Sequence, residues 1–132
     1  MFVRGLGRQS AMPSRFYTVV IDSSDPAALA RFWAAVLDWK VVYEAADEVV
    51  LAKDENTYPG LVFGTVPEAK TVKNRLHIDL VPDDQDAEVA RVLALGATRA
   101  DVGQSDVKWV VLADPEGNEF CILTAREGDP GV

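Results

Sequence analysis

Residues 15–66 and 75–124 run through the same succession of patterns: a strand-length stretch, an amphipathic helix, then three short strands. In the first run, 15–22 is rich in β-branched and aromatic residues. S23-S-D-P26 then supplies a helix start, with Asp25 as N-cap and Pro26 at the first helical position. Leu29, Phe32, Trp33, Val36 and Leu37 recur at helical spacing and give that helix one wide apolar face. Strands over 39–44, 48–53 and 60–66 follow, separated by polar or Pro/Gly breaks. After the polar connector P67-E-A-K-T-V-K-N74 the pattern restarts. It predicts a strand over 75–81, a helix over 84–95 with Val89, Val92, Leu93 and Leu95 inward, and Gly96 just past its end. Strands over 98–102, 107–113 and 119–124 complete it, with D114-P-E-G-N118 as the reverse turn before the last. The order of elements, more than residue identity, carries the repeat. A helix with one apolar face has to cover a sheet, and each sheet keeps a second face. The expected class is therefore α+β: two βαβββ modules forming a cupped mixed sheet with helices on the outside.

The expected layout is an N-terminal tail over 1–14, one domain over 15–126 with modules at about 15–66 and 75–126, and a short tail over 127–132. With 132 residues, 48% of them apolar, the chain suits one domain with a core of its own. Thirteen basic against 21 acidic side chains give a net charge of -8. That charge repels a phosphate backbone and an anionic lipid surface, so neither nucleic acid nor membrane is an expected partner. A lone Cys121 allows no internal disulfide, the arginines near the start lead into no apolar signal core, and no run reaches the roughly 20 residues of a membrane span. A cytoplasmic protein is expected.

The only histidine lies in R75-L-H-I-D-L80. On an alternating strand Arg75, His77 and Asp79 share one face, while Leu76 and Ile78 turn toward the second helix. His77 reads either as a structural residue fixed by Arg75 or Asp79, or as a group that touches ligand or moves protons near neutral pH. Glu119 reads as a solvated strand-end carboxylate or as a pocket acid whose pKa is raised by Phe63 and Trp109. Cys121 reads as a small buried hydrophobe, Trp33 and Trp39 as core or dimer contacts, and D83-D-Q-D86 as a solvated helix start rather than a calcium loop. Neither a phosphate-binding glycine loop nor a G-x-S-x-G elbow is present in the ordered part of the pattern.

With F32-W-A-A-V-L-D-W39, K73-N-R-L-H-I-D-L80, L95-G-A97 and D114-P-E-G-N-E-F-C-I-L123 in place, the chain resembles the vicinal oxygen chelate superfamily. The likeness is to the glyoxalase, bleomycin-resistance and dioxygenase group, and to its small glyoxalase-like branch. The resemblance implies paired βαβββ modules, commonly a homodimer, and reactions that range over isomerases, lyases, oxygenases and metal-free drug binders. It also implies four ligand positions in metal-using members, which fall here on Thr18, on Phe63 or Gly64, on His77, and on Cys121, with Glu119 the nearest acid. Counting His77 with Cys121 or Glu119 as two donors, no tightly bound metal is expected, and a divalent ion is the minor alternative. The expected function is binding of a small aromatic or carbonyl-bearing metabolite in a cup lined by Thr18, Phe63, Arg75, His77, Asp79, Trp109, Glu119 and Cys121. The alternative is a lyase, isomerase or dioxygenase that uses a divalent metal or His77 and Glu119 as acid–base pair.

Overall fold

Two βαβββ modules follow one another in the computed structural model, which describes residues 13–57, 60–100 and 108–125. The first holds β1 (Thr18–Ser23), α1 (Pro26–Leu37), β2 (Lys40–Ala45), β3 (Glu48–Ala52) and β4 (Gly60–Thr65). The second holds β5 (Asp79–Leu80), α2 (Gln85–Leu95), β6 (Thr98–Arg99), β7 (Val110–Ala113) and β8 (Glu119–Ile122). Residues 1–12 of the expected N-terminal tail and the C-terminal tail 127–132 lie outside the described residues, as do 101–102 and 107 of two expected strands.

Each module closes on a four-stranded mixed sheet, ordered β1-β4-β3-β2 and β5-β8-β7-β6. The first and last strands of each module pair in parallel, and the other neighbours are antiparallel. The expected α+β class with two βαβββ modules is thus present, its strands forming two mixed sheets of matching topology.

The helices begin where the sequence signals them. Asp25 accepts from the Ala28 amide at 3.2 Å with Pro26 next in line, and Asp84 accepts from the Ala87 amide at 3.1 Å. Both carboxylates satisfy amides that no helical carbonyl can reach. α2 ends at Gly96, whose φ of 125° a side chain would resist. α1 ends on Asp38 in left-handed geometry, a stop without a glycine signal. Leu29, Phe32, Trp33 and Val36 of α1 and Val89 and Val92 of α2 enter one core. They meet Val49, Leu51, Leu61 and Phe63 from the first sheet and Leu112, Phe120 and Ile122 from the second. Both helices therefore cover the same side of the two sheets and leave the opposite faces free.

The strand expected over 75–81 is only two residues long. Among the described residues β5 is an edge strand paired with β8 alone, and β8 starts at Glu119, level with His77 in the Asp79–Cys121 register, so residues 75–76 have no strand beside them. Without pleating, the expected alternation fails. Ile78 still packs against the core, but Leu76, expected beneath α2, is 86% exposed.

The turn D114-P-E-G-N118 reaches across to the first module. Asp114 is buried, accepts from Trp33 Nε1 at 3.0 Å, and gathers the Glu116 and Asn118 amides at 2.9 Å each. Glu116 accepts from Ser23 Oγ at 2.5 Å, the Ser24 amide at 2.9 Å and the Asp25 amide at 3.2 Å. A turn of the second module thus clasps the start of α1.

Candidate functional site

Two concavities open among the described residues, one on the free face of the first sheet and one at the boundary between the modules. The smaller, about 490 Å³, lies on the first sheet, where Thr18, Val20, Val50 and Val62 alternate with the core residues of their strands. A bulge between Val41 and Tyr43 brings both Val42 and Tyr43 to this side. The larger, an open cleft of about 890 Å³, runs between β1, the connector from Val66 to Ile78, and the turn and start of β8. Val20, Ile21, Leu76, Ile78 and Phe120 give it apolar walls, and Arg75, His77 and Glu119 give it most of its chemistry.

The eight expected lining residues separate accordingly. Arg75, His77 and Glu119 border the larger cleft, and Thr18 borders the smaller one. Phe63 is fully buried among the residues facing α1, so it belongs to the core and not to a cup. Trp109, just before β7, is 44% exposed and borders neither concavity. Asp79 and Cys121 are not on the cleft wall but adjoin His77.

The parallel register of β5 with β8 sets Asp79 opposite Cys121, and His77 lies two residues before Asp79. Asp79 Oδ1 is 2.8 Å from His77 Nδ1, and Cys121 Sγ is 3.9 Å from the same nitrogen. The carboxylate is an acceptor only, so it draws the imidazole proton to Nδ1 and leaves Nε2 with its lone pair. Burial raises the pKa of the Cys121 thiol, and the Asp79 carboxylate beside it raises it further. Cys121 is therefore a protonated, buried thiol, and its proximity to the same ring nitrogen as Asp79 is not the geometry of a nucleophilic triad.

Glu119 behaves differently from the pocket acid considered above. Burial works to raise its pKa, but the Asn74 amide at 2.9 Å and Lys70 Nζ at 3.1 Å outweigh it and hold the carboxyl below its ordinary value. Neither partner is readable from sequence, because a lone lysine and asparagine in a polar connector carry no pattern. The same holds for the clasp: the turn at Asp114 is legible, whereas the targets of Asp114 and Glu116 lie more than 80 residues away.

The positions to which the resemblance assigns metal ligands can be tested one by one. Thr18 spends its hydroxyl on the Gly60 carbonyl at 3.0 Å, Phe63 is sealed in the core, and Gly64 has no side chain. The first module contributes no ligand at these positions, so a centre built from both modules does not fit this chain.

The family model described as "Glyoxalase-like domain" matches residues 18–123. Among curated proteins none matches significantly. Among solved structures, the chain is similar to a glyoxalase/bleomycin resistance protein/dioxygenase family enzyme from Burkholderia phytofirmans PsJN. Identity is 21% and the TM-score 0.63, over 83% of this chain and 97% of that one. It is also similar to a fosfomycin resistance protein, FosX, from Mesorhizobium loti, at 18% identity and TM-score 0.63 over 89% and 96% of the two chains. A bleomycin resistance determinant encoded on the transposon Tn5 matches at 16% identity and TM-score 0.55, over 86% and 99%. At these identities the likeness is one of fold.

Proposed function

The chain belongs to the glyoxalase-like domain family, and from that premise we propose that it captures a small, uncharged aromatic or carbonyl-bearing metabolite in the cleft between its modules. The observation that carries this reading is a largely apolar cleft with one oriented imidazole at its wall. Small-molecule sites commonly span roughly 300–1,000 Å³ and combine apolar walls with a few placed polar groups. Among the described lining residues, Asp22, Glu68, Asp114, Glu116 and Glu119 outnumber Lys70 and Arg75, which disfavours an anionic ligand. Nε2 of His77, freed by Asp79, would accept a hydrogen from the ligand.

The same pair favours a second reading, an isomerase or lyase. In it Nε2 removes a proton beside the ligand's carbonyl and Asp79 steadies the imidazolium that forms. Glu119, held ionised against Lys70, is a poor proton donor, so His77 carries the proton transfer alone. The reading takes the cytoplasm as the compartment, in keeping with a single thiol, and a homodimer as the working form. Tyr17 and Tyr43, both more than half exposed, lie on a face of the first module that a second copy would cover.

A thermal-shift screen of neutral aromatic and carbonyl compounds tests this. A ligand at a hundred times its dissociation constant adds about 2.7 kcal/mol, and Val20→Trp, which fills the cleft, removes the shift. Under the second reading His77→Ala keeps the shift and loses turnover. If no compound stabilises the wild type more than Val20→Trp, the cleft is not a binding site.

A further inference from the structure

We propose that residues 67–77 form a strap that closes over an occupant of the larger cleft, with Leu76 as the covering side chain and Glu119 as the pin that keeps the moving span short. The covering step rests on the ligand reading above, whereas the pin does not.

Residues 67–77 belong to no helix or strand, yet they supply much of one wall of the cleft. Both ends of the segment are fixed. The Val66 amide donates to the Ser23 carbonyl at 2.9 Å, and the Ile78 carbonyl accepts from the Cys121 amide at 2.9 Å on β8. Between those points, among the described residues, Asn74 has the one backbone amide that bonds to protein, and its acceptor is Glu119 Oε1 at 2.9 Å. Lys70 Nζ reaches the same carboxylate at 3.1 Å. One side chain therefore holds the middle of the strap. Glu119 is itself placed by strand register, opposite Ala113 at the start of β8. Its bonds are charge-assisted, roughly twice as strong as neutral ones. A segment with so few backbone bonds opens locally well below the cost of global unfolding, so the pin decides which part of it moves.

With Asn74 pinned and Ile78 on the sheet, the free span is Arg75, Leu76 and His77, and Asp79 restrains the last of these at 2.8 Å. A lone exposed leucine is ordinary on a protein surface. Leu76 differs because it borders the apolar cleft and is still 86% exposed. Backbone rotation at two residues between fixed points is enough to turn its side chain over the opening. An apolar molecule in the cleft would there give the leucine a partner that the protein's own chain does not supply. Loss of the pin would lengthen the mobile span from 75–77 to 67–77, and closing a longer flexible loop costs more entropy. Glu119 thus sets the hold of Leu76 through the length of the span.

Nile red, a neutral aromatic dye with a ring carbonyl and an environment-sensitive fluorescence, serves as the probe with the full-length protein. Its release, followed by stopped flow, should be about tenfold faster from Leu76→Ser, the loss expected when a buried leucine side chain is removed from the contact. Melting should be unchanged in that variant, since Leu76 packs on little. Glu119→Ala should speed release about fivefold through the longer span. Without any dye, nitrogen relaxation should show backbone order parameters at Lys70 and Asn74 near about 0.85 in the wild type and below about 0.6 in Glu119→Ala. Lys70→Met, which leaves β8 intact, should move both readouts in the same direction. If the dye binds the wild type and not Val20→Trp, but leaves Leu76→Ser at the wild-type rate, the strap does not cover the cleft and the ligand reading stands. Order parameters unchanged in Glu119→Ala overturn the pin. Nile red that fails to bind, or binds Val20→Trp as well as the wild type, counts against the ligand reading and removes the covering step with it.

Discussion

The carboxylate of Glu116 collects the Ser23 hydroxyl and the amides of Ser24 and Asp25 at the positive end of α1. Burial opposes ionisation there, but these donors prevail and hold its pKa below the ordinary glutamate value. A group whose pKa is depressed by folding adds stability above the unfolded pKa and loses it as pH falls through the folded one. Glu116→Gln should therefore lower stability by about 1–2 kcal/mol near neutral pH. The gap to wild type should close on acidification below the glutamate range, as melting temperatures measured across pH would record. Sequence marks this residue only as the third of a turn. The side chains it serves are distant, and long-range polar pairing leaves no periodic trace. His77 was legible as a pocket residue because it is the sole histidine and follows a connector; its neighbours Asp79 and Cys121 meet only through strand register.

At the level of elements, both helices were legible to within a residue, since their caps and apolar spacing are local properties. β1 to β4 were nearly as clear, and β5 was not, because strand length depends on a neighbour that no local pattern announces. Gly60 shows such dependence within one sheet. A Cβ at this residue would collide with the carbonyl oxygen of Leu51 on β3, so the close approach of β4 to β3 requires glycine. Gly60→Ala should cost about 1–3 kcal/mol through strand displacement. Denaturant titration would register it, and hydrogen exchange should place the loosening in β3 and β4 while the second sheet keeps its protection.

For the molecule as a whole, the α+β class and the paired modules follow from element order, whereas the placement of the modules does not. The aromatic trio Phe32, Trp33 and Phe120 makes edge-on contacts across the boundary, with Trp33 and Phe120 centroids 4.8 Å apart. Trp33→Phe would remove the bond to Asp114 and thin this packing, costing about 2–3 kcal/mol. Unfolding should remain a single transition, with tryptophan fluorescence and far-ultraviolet circular dichroism coinciding at a lower midpoint; separate midpoints would show that the modules melt independently. The clasp between Asp114 and Trp33 also bears on descent. A half-length chain with only one βαβββ unit would expose the seam that these residues close, so it would be compelled to associate with its twin before it could remain folded. Joining two such copies end to end would make that association permanent and free each half to diverge, one retaining chemistry and the other shape.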